Sequence, residues 1–427
     1  MNDATEALLG FELAGEDHCD STRIIERTHG RAMCAMAFSL QWQSEHARHT
    51  DQLIARKLNL WRDILPYELE PDLMDKPVNH VARRSFGAGQ LIVPYQSDLS
   101  FNLSQRAFHR NLRKYRHVEP RAGRFYPRAF IGGSRGIFPE EILPFRIGSV
   151  SDDMICCDLN NPLSTKPLDL QARILDIWES PEEHGGSCND VAEMITANGP
   201  GMQARWRDVP TDFWQDVPFS RVAAEPDAGF YAQPRMVSHV DATAAAQIAG
   251  LYRRLLPKGG RVLDLMASWE SHLPADHSLA EILGLGMNAK ELDANPLLGG
   301  YRIQDLNLKP ALSYADNEFD AVICSLSAEY LIKPFDVFAE VARVLRPGGR
   351  FILSFSNRWF PPKVINLWQG MHEFERPGLV LEYFLRDGLF DELETWSIRG
   401  LPRPADDKYA GRQTDSDPVY AVWGSKR

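Results

Sequence analysis

Cysteine is scarce in this chain: six among 427 residues, at positions 19, 34, 156, 157, 188 and 324, with no C-x-x-C pair and no histidines at matching spacing. That excludes a disulfide framework and a zinc site readable from spacing. His18, Cys19 and Asp20 stand together, but neighbours on an extended chain point apart, and no metal is expected there. Long apolar runs are missing as well. Nothing approaches the roughly 18 to 20 residues that cross a bilayer, and MNDATEALLGFELAGED has neither the basic start nor the apolar centre of a signal peptide. A cytoplasmic protein without membrane association is expected. Positive charge is in deficit, and a net charge of −11 argues against nucleic acid as a general partner.

What is present describes an ordinary globular chain, with 44% hydrophobic and 25% charged residues. Its length exceeds what one core usually spans. The expected organisation is a flexible N-terminus (1–30), a β-rich domain (31–178), a connector (179–228) and a C-terminal α/β domain (229–427). DQLIARKLNLWRDIL spaces its apolar residues loosely as a helix would, and GQLIVPY, GRFYPRAFI, EILPFRIGSV, DMICCDL and LDLQARILDI read as short strands. The connector holds Trp206, Phe213 and Trp214, too much aromatic surface to leave in water, so it should pack between the domains. A second reading places its Arg205 and Asp212 in a lid over the active site. Residues 103–128 carry eight basic residues against Glu119, with aromatics interleaved. That mixture suits phosphate pairing and base stacking, or a solvated basic face over a core.

DMICCDLNNPLSTKPLDLQARILDI resembles the closing part of FKBP-type prolyl isomerases of the SlyD kind, which carry D-x-N-H-P-L-A-G-K before a final strand. The run from Gly123 to Val150 is similar to the client-holding insert of that family. The resemblance implies an FKBP-like fold and a protein client. Asn161 replaces the family's histidine, and Ser164 and Thr165 replace Ala-Gly. Isomerisation needs an apolar cup that desolvates the X-Pro amide; Tyr95, Phe101 and Phe108 are its candidate lining, or simply core.

From residue 229 the chain alternates helix and strand. DATAAAQIAGLYRRLL is a helix capped by Asp241 and stopped by Pro257; RVLDLM, EILGLGM, YRIQDL, FDAVICSLS and RFILSFS are strands, with helices over AKELDANPLL and PFDVFAEVARVLRP. An amphipathic helical region follows over 361–388, and LETWSIRG and DPVYAVWGSK close the chain as a hairpin-like pair. This order predicts a mostly parallel sheet wrapped on both faces, with the last pair as its antiparallel edge. FDAVICSLSAEYL followed by VARVLRPGGRFILSFSN resembles the Rossmann-like S-adenosylmethionine-dependent methyltransferases. VLDLMASWESHLP and FYAQPRMVSHVD are similar to a divergent branch with D-L-M-x-S-W-x-S-H-L-P.

One absence bears on that resemblance. Where the family's glycine-rich turn follows the first strand, this chain has Met266, Ala267, Ser268, Trp269 and Glu270. Glycine serves there because backbone must approach the cofactor closely; with a slightly displaced turn, Ala267 and Ser268 are small enough to line the pocket. The resemblance implies S-adenosylmethionine as cofactor, with Asp264 reaching its amino group and Asp305 and Leu306 at its adenine. The family's ribose-gripping acid is replaced by Gly286, leaving Asn288 or Glu291 to substitute. Met266 and Ser325 complete the expected cofactor contacts. Methyl transfer is an in-line displacement that needs alignment and often removal of a proton. His272 is the candidate base with Glu270 orienting it, and Tyr330 a further catalytic candidate. Tyr231, Arg235, His239, Ser327, Asn357 and Arg358 are candidate substrate or lid residues. The acceptor is a small molecule or a protein. Competing readings are a noncatalytic chaperone or adaptor, a residual prolyl isomerase, and an RNA methyltransferase guided by residues 103–128.

Overall fold

The structure, a computed structural model, describes residues 24–110, 118–179, 186–214, 217–223 and 225–427. The 18–20 trio, most of the expected flexible N-terminus and the middle of the basic stretch therefore lie outside the described residues.

The strands are β1 (Ala32–Gln43), β2 (Arg48–Asn59), β3 (Val81–Phe86), β4 (Ser100–Ser104), β5 (Phe125–Pro127), β6 (Pro144–Val150), β7 (Met154–Asp158), β8 (Leu168–Glu179), β9 (Arg261–Leu265), β10 (Glu281–Gly286), β11 (Gly300–Ile303), β12 (Phe319–Ser325), β13 (Leu345–Phe355), β14 (Phe390–Arg399) and β15 (Val419–Lys426). The helices used below are α1 (Val191–Thr196), α2 (Ala242–Leu255), α3 (Ala289–Ala294), α4 (Pro334–Val344) and α5 (Glu375–Leu385).

In the C-terminal half, β9 to β13 lie parallel, and β15 runs antiparallel between β13 and β14. Alternation along the strands sends neighbours to opposite faces. Val262, Ala321 and Ile323 meet Ala244, Ile248 and Leu251 of α2, while Leu263, Val322 and Phe351 meet Val337, Phe338 and Val341 of α4. Each large apolar side chain so buried contributes about 1.5–3 kcal/mol. α2 begins where expected, with the Asp241 carboxylate accepting from the Ala244 amide at 3.0 Å. The strand order reverses between β9 and β12, which opens a crevice at their C-terminal ends.

Three expectations are corrected. The segment read as a helix from Asp51 is most of β2, paired with β1 and with β14. Neighbours cover it on both sides, and its buried His49, Asp51 and Gln52 blur the alternation that marks a strand. GQLIVPY is no strand: Gly89 has φ +73° and Pro94 lies 2.8 Å from where its Cβ would stand, so the chain turns tightly there. The β14–β15 pair is not an edge either. β14 joins β2 in parallel, and one eleven-stranded sheet runs β11-β10-β9-β12-β13-β15-β14-β2-β1-β8-β3 through both halves. In addition, the helical region over 361–388 is confined to a single turn at Asn366–Gln369 and to α5.

A separate sheet, β4-β7-β6-β5, has its own core. Phe101 and Phe108, the candidate cup residues, are buried in that core with Tyr126, Phe130 and Phe145, and the Tyr95 hydroxyl accepts from Arg207 at 3.1 Å. Asn161 forms a local turn, accepting from the Leu163 amide at 2.9 Å and donating to the Thr196 carbonyl at 3.0 Å. In the connector, Trp206 lies over Gly148, and Trp214 meets Phe335 edge-on at 5.2 Å. Arg205 binds Glu382 and Arg121 pairs with Asp212; neither Arg205 nor Asp212 lines the pocket below, so the lid reading fails. Of the basic stretch, Arg110 pairs with Glu119, Arg124 with Glu375 and Arg128 with Glu141.

Candidate active site

A pocket lies over the C-terminal ends of β9, β10, β11 and β12. It gathers Asp264, Met266, Ala267, Ser268, Glu270 and His272 from the first loop, Gly286, Asn288 and Glu291 from the second, and Asp305 and Leu306 from the third. Ser325, Ser327 and Tyr330 follow β12, and Tyr231, Arg235 and His239 come from the strap that precedes α2. Asn357 and Arg358 are the exceptions among the predicted residues: they line a different cleft.

The missing glycine turn has a geometric explanation. Met266 adopts φ +60°, a left-handed conformation that glycine would hold at lower cost. The turn then drops toward β10, where the Ala267 amide donates to the Leu285 carbonyl at 2.8 Å. A Cβ on Gly286 would stand 2.2 Å from the Ala267 carbonyl oxygen. The glycine requirement has thus moved from the loop to the neighbouring strand end, and no acid fits at position 286. Glu291 brings a carboxylate to the same pocket from α3, whose N-cap is Asn288. It accepts from Ser268 Oγ at 2.7 Å and from the Arg235 amide at 2.7 Å. Asn295 ties the loop from behind, donating to the Ser268 carbonyl at 2.9 Å and to Ser271 Oγ at 2.8 Å.

Asp264 is 2% exposed, and its Oδ2 has no hydrogen-bond partner among the described residues. Burial pushes its carboxyl up to about 7, against a hydrogen bond from Ser271 that lowers it. A buried acceptor left open in this way calls for a partner. Asp305 instead spends Oδ1 on the amides of Asn307 and Leu308. Asn307 donates to Asp227 at 2.9 Å and to the Tyr330 carbonyl at 3.0 Å, linking the third loop to the fourth.

His272 is buried with φ +53°, and its Nδ1 lies 3.7 Å from a Glu270 oxygen, outside hydrogen-bond range. Burial pushes the imidazole down to about 4, which keeps it neutral and able to accept a proton at physiological pH. Burial likewise raises the Glu270 carboxyl and lowers His239. The Tyr330 ring stacks on Phe360 at 6.1 Å, and its oxygen accepts from the Phe360 amide at 2.9 Å. Ser325 Oγ and Tyr252 Oη share a hydrogen bond of 2.6 Å. Arg235 lies 4.2 Å over the Phe230 ring and donates to the Phe230 carbonyl, which clamps the strap.

Sequence reasoning missed Asp227 and Phe360, both in the lining. Asp227 is buried between Arg221 at 2.9 Å, six residues before it, and Lys363 at 3.0 Å, a partner remote in sequence that no spacing rule connects to it.

Residues 273–353 match a protein family described as a methyltransferase domain. The match begins immediately after the altered loop. The malonyl-[acyl-carrier protein] O-methyltransferase of Marinomonas sp. (strain MWYL1) is 30% identical over 90 residues, 21% of this chain and 32% of that protein. The chain thus covers about a third of that relative's length. Among solved structures, the YcgJ protein of Bacillus subtilis aligns with a TM-score of 0.31 and 16% identity over 42% of this chain and 98% of its own. An S-adenosylmethionine-dependent methyltransferase of Mesorhizobium loti aligns with a TM-score of 0.28 and 20% identity over 41% and 96%.

Proposed function

We propose that this chain is an S-adenosylmethionine-dependent methyltransferase. The observation that carries the reading is the open, buried Oδ2 of Asp264 at the end of β9, in a domain whose core matches the methyltransferase family. The residues present fit the cofactor: Asp264 would hold its ammonium group, Glu291 with Ser268 its ribose hydroxyls, and Asp305 with Leu306 its adenine. When bound, the cofactor supplies a methyl group on a sulfonium, ready for displacement. Tyr330, Phe360 and His239 wall the side beyond β12 and exclude water from it. His272 is held neutral and takes the acceptor's proton, with Glu270 closing on the imidazole as it charges. Isothermal titration with S-adenosylmethionine and S-adenosylhomocysteine tests the reading. Saturable binding that Asp264→Asn weakens is expected, and no heat from either ligand at millimolar concentration would sink it.

We further infer that the N-terminal half holds a protein client, in keeping with its similarity to SlyD-type FKBP proteins. Phe138 and Ile142, 73% and 83% exposed beside the four-stranded sheet, support this. Light scattering of an aggregating, reduced and alkylated protein should show protection that the pair Phe138→Ser and Ile142→Ser removes; unchanged protection would count against it.

A further inference from the structure

A second cleft, of about 690 Å³, opens where β13 and β14 end and β15 begins. One segment borders both cavities: Phe360 faces the first pocket, and Asn357 and Arg358 face this one. Aromatic rings contribute to its lining through Phe374, Tyr409 and Tyr420. Uncharged donors come from Asn198, Gln413 and Thr414.

Its charges are unevenly matched. Arg403 is enclosed by Asp241, Asp407 and Asp417 at 3.3, 3.0 and 2.7 Å. Arg358 takes the other oxygen of Asp417 at 2.9 Å, and Asp415 is held by Arg56. Glu373 accepts from the Tyr420 hydroxyl at 2.8 Å, and buried Arg376 offsets its charge. Two guanidinium groups form no ion pair with a carboxylate among the described residues, Asp51 and Glu373 acting on Arg399 only from farther off. Arg399 donates through Nη2 to the carbonyls of Met194 and Ile195 at the end of α1, both at 3.1 Å. Its Nε and Nη1 have no hydrogen-bond partner among the described residues, and the side chain lines the cleft. Arg412 is exposed on the β14–β15 connection, and its side chain makes neither a hydrogen bond nor an ion pair among the described residues. The lining carries four guanidinium groups against three carboxylates, a balance opposite in sign to the chain's net charge of −11.

We propose that this cleft is a second ligand site, for an organic anion bearing a carboxylate or a phosphate, gripped by Arg399 and Arg412. Planar guanidinium groups bind both kinds of oxyanion through paired N–H donors. Aromatic walls favour a ligand with an organic body over a bare ion. The proposal stands apart from the methyl-transfer reading, because it uses none of the residues of the first pocket.

The test titrates the full chain with phenyl phosphate and with benzoate, following heat or tryptophan fluorescence, with and without saturating S-adenosylhomocysteine. Saturable binding of at least one anion is expected, weakened about ten-fold by Arg412→Met and by Arg399→Met, and retained when S-adenosylhomocysteine is present. Preference between the two probes assigns the ligand to the phosphate or the carboxylate class. Arg399 also closes the end of α1, so should its variant fail to fold, the exposed Arg412→Met decides alone. Absence of saturable binding by both probes, equal binding by wild type and Arg412→Met, or displacement by S-adenosylhomocysteine would each overturn the proposal.

Discussion

Two buried aspartates, Asp51 in the seam between the halves and Asp264 in the pocket, are each 2% exposed, and burial raises the pKa of both. Asp51 is fully answered by its own chain. It accepts from Trp42 Nε1 at 2.9 Å, Gln203 Nε2 at 2.8 Å and Ser397 Oγ at 2.8 Å, which ties β1, β2, β14 and the connector together. Asp264 leaves an oxygen open. The same residue type thus does opposite work: one carboxylate is part of the finished fold, and the other holds a cost that a bound cation would relieve.

The largest way to break the comparison is Asp51→Ala, which strands three buried donors. It should cost about 3–4 kcal/mol in urea unfolding and leave S-adenosylhomocysteine affinity unchanged. Asp264→Asn should do the reverse: affinity falls about 100-fold, or about 2.7 kcal/mol, by titration, while the melting temperature at pH 8 holds or rises. Gly286→Ala pushes a methyl group against the Ala267 carbonyl. A loss of about 2 kcal/mol in stability, with weakened cofactor binding, is expected from unfolding and titration together.

The remaining predictions concern pH. In the fold Asp264 holds its proton up to about 7, whereas its ordinary value is 3.8. Between those values the folded state binds the extra proton, so this group's contribution to stability falls as pH rises from about 4 to 7 and is level above. Melting curves across that range should lose this slope in Asp264→Asn. Cofactor affinity should move the other way, increasing by up to about ten-fold per pH unit until about 7, because a carboxylate is what pairs with an ammonium.

The C-terminal half was legible because its signals are local. Continuous apolar strands and the Asp241 cap each announce an element within a few residues, and most of the pocket residues lie at strand ends. β2 was not legible: of its two partners, β1 went unread as well, and β14 lies more than 300 residues away, with Arg48 facing Glu394. β1, AMCAMAFSLQWQ, went unread although nine successive residues of it are buried; a run apolar on both faces has no period to detect. In the site, the loop without glycine was explained by Gly286, and the space it needs depends on the Ala267 carbonyl packed against it, which a sequence does not display.

The parallel pairing of β2 with β14 carries a practical warning for anyone dissecting this protein. Cutting the chain in the connector would leave β14 with six residues, Glu394 to Arg399, stripped of their partner strand. Such a bare border invites other chains to dock along it. The C-terminal fragment should come out of cells as aggregate, and the two halves are better co-expressed than purified apart.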